Sequence, residues 1–168
     1  MKRALTLLEV VLVVAIIGML AAFAIPRFSR ATVGADDPAP RYNLNLLRFA
    51  IELYYHEHGA YPAQNGDGTH GAGTQEAFAN QLTRFTDAYG RTSETRDDTY
   101  RFGPYLRLGI PPCPVTPRKG QTAIAMVTVR PAYTASATEA GWVYNCDTGD
   151  IALNSNALDP DGASYDGY

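Results

Sequence analysis

The chain has 168 residues, 18% of them charged, with a formal net charge of -3. That length holds one modest domain plus an additional segment. The mildly acidic balance argues against a nucleic-acid binder, which would carry a basic face.

Residues 5–25 form one apolar run, LTLLEVVLVVAIIGMLAAFAI, containing a single acid, Glu9. Lys2 and Arg3 precede it, and Pro26-Arg27 closes it. As a helix, such a run extends about 30 Å, the thickness of a bilayer's hydrocarbon core. It is read as a membrane anchor, with the domain that follows it exported. An acid at mid-membrane costs about 2.5–3.5 kcal/mol, so Glu9 is expected to have a partner. A competing reading is a secretion signal cut at the small-x-small site Ala22-Phe23-Ala24, releasing a soluble binding domain. The length of the run and the position of Glu9 within it oppose that reading.

Pro26 is expected to kink the helix, since it donates no amide hydrogen and crowds the preceding turn. Gly34, Pro38 and Pro40 predict a non-helical joint near 34–40. Helical periodicity returns over 41–58, where Leu44, Leu47, Ile51 and Tyr54 or Tyr55 share a stripe. Arg41, Asn45, Arg48 and Glu52 take the opposite face, and Gly59 ends the helix. His56 and His58 are two apart on that helix and face different ways, which argues against a zinc site. Gly66-x-Gly68-x-x-Gly71 has the spacing of a dinucleotide fingerprint but follows no strand, so it is read as a loop.

A second helix is predicted over 75–89, capped by Thr74, with Phe78, Leu82, Phe85 and Tyr89 as its stripe and Gly90 as its stop. Residues 91–99 read as a polar surface loop, and the prolines of 104–114 as an extended, turn-rich passage. Strands are expected over 122–130, 141–145 and 150–154, the last two forming a hairpin around Cys146-Asp147-Thr148-Gly149. Cys113 and Cys146 lie in the part that would be exported, where a bridge between them is expected. It would add about 3–4 kcal/mol by the loop-closure model. No Ser-His-Asp grouping or other reactive set marks an active site, so the chain is read as a non-enzyme.

Lys2-Arg3-Ala4 followed by Leu5-Thr6-Leu7-Leu8-Glu9, with the later Ala24-Ile25-Pro26-Arg27-Phe28, resembles the N-terminal signal of type IV pilins and type II secretion pseudopilins. Tyr54-x-x-x-x-Gly59-x-Tyr61-Pro62 resembles a signature of the major pseudopilins. The resemblance implies cleavage between Ala4 and Leu5 by a prepilin peptidase, then N-methylation of Leu5. It implies assembly through Glu9, which meets the new amino group of a neighbouring copy. The implied fold is α+β and pilin-like: a long N-terminal hydrophobic helix packed through its C-terminal half on a small antiparallel β-sheet. The corresponding parts are a leader (1–4), a transmembrane and filament-core helix (5–26), a linker with the amphipathic half of the long helix (27–58), and a globular head (59–168). The implied function is a homopolymeric periplasmic fibre that drives protein export, assembled from a single-pass inner-membrane protein with its C-terminal domain in the periplasm. Its partners would be minor pseudopilins, the peptidase and an inner-membrane assembly platform, with no nucleic acid required. A surface-fibre pilin is the alternative, and a Cys113–Cys146 bridge would lean that way. Major pseudopilins often hold calcium in a C-terminal loop. Asp159 and Asp161 are the candidate ligands here, beside the plainer reading of a polar tail without an EF-hand's spacing.

Overall fold

The inward positions of the longest described helix carry no charged residue. In the computed structural model, which describes residues 7, 9–16, 38–159 and 162–165, helix α2 spans Pro38–His58. Leu44, Leu47, Ile51 and Tyr54 recur at three- and four-residue steps and are fully buried. The expected joint near 34–40 is corrected over 38–40, which form the first turn of α2, while 34–37 lie outside the described residues. Amides in a first turn have no partner within the helix, so prolines are tolerated there. Gly59, at φ +68°, closes the other end, with its N–H on the Tyr55 carbonyl.

Helix α3 spans Gln75–Thr83, and the Thr74 hydroxyl accepts the Ala77 N–H at its start. It stops six residues before the expected Tyr89. Arg84 is extended, and Phe85–Thr86 (β1) pair antiparallel with Thr92–Ser93 (β2), inside the stretch read as loop. The aromatic residues Phe85 and Tyr89 thus extend a helical pattern that the β1–β2 pairing interrupts.

The second sheet is β3 (Ala123–Met126), β4 (Ala140–Tyr144) and β5 (Ile151–Leu153), in the order β3-β4-β5. The β4–β5 hairpin is antiparallel, as expected. β3 runs parallel to β4, which corrects the all-antiparallel sheet. The connecting residues 127–139 are long enough to return the chain to the starting end, as a parallel pair requires. Asn154 pins that return: its side-chain amide donates to the Ala137 and Ala140 carbonyls at 3.0 and 2.9 Å, and its oxygen accepts the Thr134 N–H at 2.8 Å.

α2 packs against β5 and α3 against β3. Between them lies the core of Leu44, Leu47, Ile51, Tyr54, Phe78, Leu82, Trp142, Tyr144 and Leu153. The Phe78 and Tyr144 rings meet at 4.4 Å. The polar ends of the large aromatics are satisfied: Trp142 Nε1 donates to the Pro111 carbonyl at 2.9 Å, and the Tyr144 hydroxyl to Pro62 at 3.0 Å.

Residues 1–37 and 38–168 form two separate units. In the first, residues 9–16 are helical (α1). Among the described residues no helix is long and apolar enough to cross a membrane. The expected long N-terminal hydrophobic helix on a sheet, the transmembrane helix over 5–26 and the single-pass inner-membrane location are therefore corrected. What the described residues contain is a short apolar helix in one unit, and two further helices with two small sheets in the other.

Candidate functional site

Among the described N-terminal residues, an apolar helix begins with a single acid. Glu9 sits on α1, exposed. Val10, Val11, Leu12, Val13, Val14 and Ile16 follow it, each 47–63% exposed. These β-branched and aliphatic side chains offer no hydrogen-bonding group, so water gains nothing at this surface. Contiguous exposed apolar surface of this kind marks a contact site. Ala4 and Leu5, the expected cleavage and methylation positions, lie outside the described residues, as does Pro26.

The signature from Tyr54 to Pro62 has a clear structural role. Tyr61 stacks on Tyr55 at 4.4 Å and covers Gly149, where an added Cβ would lie 2.3 Å from its ring. Pro62 receives the Tyr144 hydroxyl. The end of α2 is thus fastened to the β4–β5 turn. On the other side, His58 Nε2 lies 3.1 Å from Thr86 Oγ1 and 3.0 Å from the Tyr105 hydroxyl, which in turn donates to Glu57. Burial lowers the His58 pKa, against the opposing pull of Glu57 and Asp87. Burial and the Glu57 hydrogen bond raise that of Tyr105. This network ties α2 to β1 and the Pro-rich passage.

Asp67 organises the glycine-rich loop. Its carboxylate accepts the Thr69 N–H at 2.8 Å, the His70 N–H at 2.5 Å and the Asn80 amide at 2.6 Å, and sits 2.9 Å from His70 Nδ1. Burial pushes its pKa up, but these hydrogen bonds outweigh it and hold the carboxyl below the usual range. The loop between Gly66 and Gly71 is therefore a structured turn around an acid, and its amides serve that acid. Buried Gln81 plays a similar part, accepting the Ala63 N–H at 2.6 Å and donating to the Gly90 carbonyl at 3.0 Å. Neither role was legible beforehand; the Asp-Gly and Gly-rich composition was the only signal.

The expected Cys113–Cys146 bridge is corrected: both residues are free thiols. Cys113 abuts Gly141 near the start of β4, where an added Cβ would lie 2.8 Å from that of Cys113. Cys146 follows the far end of the same strand, five residues on, or about 16 Å along an extended chain. A disulfide needs Cα atoms within about 7 Å. Burial raises the pKa of both thiols, and Asp147 adds to the rise at Cys146.

Asp159 is buried, and its carboxylate holds Arg41 at 3.5 Å and the Ala163 N–H at 2.8 Å. Asp161 lies outside the described residues. Of the two candidate calcium ligands, Asp159 is therefore described as the partner of a guanidinium and of a backbone amide. Among the described residues no three His, Cys, Asp or Glu side chains gather to hold a metal.

No protein-family model, curated protein or solved structure matches the chain.

Proposed function

We propose that the chain is a structural subunit of the pseudopilin type, joining copies of itself through its apolar N-terminal segment into a fibre of the kind that drives protein export. The observation that carries this reading is Glu9 at the head of an exposed, wholly apolar stretch of helix, Val10 to Ile16. In a bundle of copies each such helix covers the next, removing apolar area worth about 25 cal/mol per Å² from water. A carboxylate inside that bundle is costly unless paired. Cleavage between Ala4 and Leu5 creates a free amine one helical turn from Glu9, and a staggered neighbour brings its own amine to this acid. Minor pseudopilins, a prepilin peptidase and an assembly platform are the further partners of this reading.

The resemblance of Tyr54–Pro62 to the major pseudopilins favours the export fibre over a surface-fibre pilin. The separation of Cys113 and Cys146 takes away the feature that leaned toward the surface fibre.

The intact mass of the mature protein tests the reading. The expected chain starts at N-methylated Leu5 and keeps Glu9. A start near Ile25 removes the whole apolar segment and overturns the proposal. In the Glu9→Leu variant the head folds normally and sedimentable polymer is lost. Wild-type polymer from that variant would show that the acid does not set the register.

A further inference from the structure

The sequence contains one asparaginyl-glycine step, Asn65-Gly66, and the fold leaves both of its reactive groups unengaged. Asn65 is exposed and lines a cavity of about 370 Å³ beside the C-terminal end of α2, so its carboxamide has room to turn. Among the described residues neither that carboxamide nor the Gly66 N–H has a hydrogen-bond partner. The nearby amides of Asp67, Thr69 and His70 are all engaged. Buried Gln81 holds the carbonyl side instead: its Nε2 donates to the Asn65 carbonyl at 3.2 Å. A hydrogen bond at that oxygen draws electron density from the peptide and makes the Gly66 N–H more acidic. The fold also requires glycine at 66, since an added Cβ would lie 2.6 Å from the His70 carbonyl oxygen.

The geometry points to Asn65 as a site of spontaneous covalent modification, deamidation through a cyclic imide. Base takes the Gly66 amide proton, and the nitrogen attacks Asn65 Cγ. The new N–Cγ bond closes a succinimide ring. The Cγ–Nδ2 bond breaks, and the carboxamide nitrogen picks up a proton and leaves as ammonia. Water then opens the ring. Attack at Cγ gives aspartate. Attack at the former main-chain carbonyl gives isoaspartate, in which the chain runs through Cβ and Cγ. Water is the only co-reactant, and nothing is oxidised or reduced.

The remaining asparagines are held or hindered. Asn43 donates to the Pro112 carbonyl, Asn80 to Asp67, Asn145 to the Val129 carbonyl, and Asn154 to those of Ala137 and Ala140. Asn45 and Asn156 precede Leu46 and Ala157, whose side chains crowd the attacking nitrogen. At Asn65 either product adds a negative charge beside the cavity. Isoaspartate also lengthens the main chain by one carbon and displaces the carbonyl that Gln81 holds, which loosens this loop from α3. The change is irreversible under these conditions, so it accumulates with the age of each molecule. It is separate from assembly through Glu9 and does not rest on it.

Incubation of the full, folded chain in mildly alkaline buffer tests this, read by peptide mass spectrometry. The expected product is heavier at residue 65 by the difference between OH and NH2. It takes its new oxygen from heavy-oxygen water and holds more isoaspartate than aspartate. Asn65 converts ahead of every other asparagine. Asn65→Gln alters an exposed side chain, keeps the melting temperature and stops the change, because the longer side chain would have to close a larger ring. Asn65→Asp carries the charge without the extra carbon and melts close to wild type, whereas the isoaspartyl form melts lower. Conversion only after unfolding in denaturant means that the fold keeps Asn65 Cγ from the Gly66 nitrogen, and it overturns the inference. So does aspartate without isoaspartate, which would mean direct hydrolysis and no cyclic imide. Sedimentation of the same samples reports the Glu9-dependent polymer separately, so failure of one reading is distinguishable from failure of the other.

Discussion

Gly149 shows how much of this fold is held by single atoms. Its φ of +76° suits a residue without a side chain, and the Tyr61 ring fills the space a Cβ would need. Gly149→Ala is expected to destabilise the protein by about 1–3 kcal/mol, read as a lower denaturant midpoint with an unchanged slope. Among the described groups, His58, Asp67 and Asp87 have lowered pKa values that make stability depend on pH. His58 has its folded pKa below the unfolded value near 6.5, so the unfolded chain binds the proton more readily. Its contribution is complete above about pH 6.5 and declines as pH falls toward the folded pKa. Asp67, also depressed, keeps its contribution above about pH 3.9 and loses it in stronger acid. Melting temperature is therefore expected to fall in two stages on acidification. His58→Gln removes the upper stage, and Asp67→Asn weakens the lower one, which Asp87 shares. The sequence showed both residues but not their state, because burial and hydrogen-bond partners come from segments far along the chain.

Among the elements, the helices were more legible than their ends. The buried stripe of α2 could be read from Leu44 to Tyr54, since three- and four-residue spacing of leucines has no competing explanation. Pro38 and Pro40 point to a break at its start, yet a first turn accepts them. The cap at Thr74 was visible, and Thr74→Ala is expected to cost about 1 kcal/mol, measured by chemical denaturation. The end of α3 was not visible, because Phe85 continues the apolar period and only its pairing with Ser93 shows that it belongs to a strand.

At the scale of the whole molecule, the placement of β4 decides what the cysteines can do. One thiol lies at each end of that strand, so the chain is expected to take up two alkylating groups when unfolded without reductant, and to react slowly when folded because burial raises both thiol pKa values. Mass spectrometry after each treatment reads the outcome; an unfolded chain that takes up none would mean a bridge. The parallel β3–β4 pair belongs to the same scale. Strand propensity over 122–130 was evident, but direction depends on where residues 127–139 return the chain.

Local patterns by themselves determined where apolar residues recur, where Thr74 and Gly59 punctuate the helices, and that one acid heads an apolar N-terminal run. Those properties depend on residues within a turn or two of each other. Only the tertiary structure decided that the thiols stand apart, that Asp159 answers to Arg41, that β3 runs parallel to β4 and that Tyr42 and Phe49 face outward. Each of these depends on distances between segments remote in the chain, which packing sets and short-range spacing does not encode.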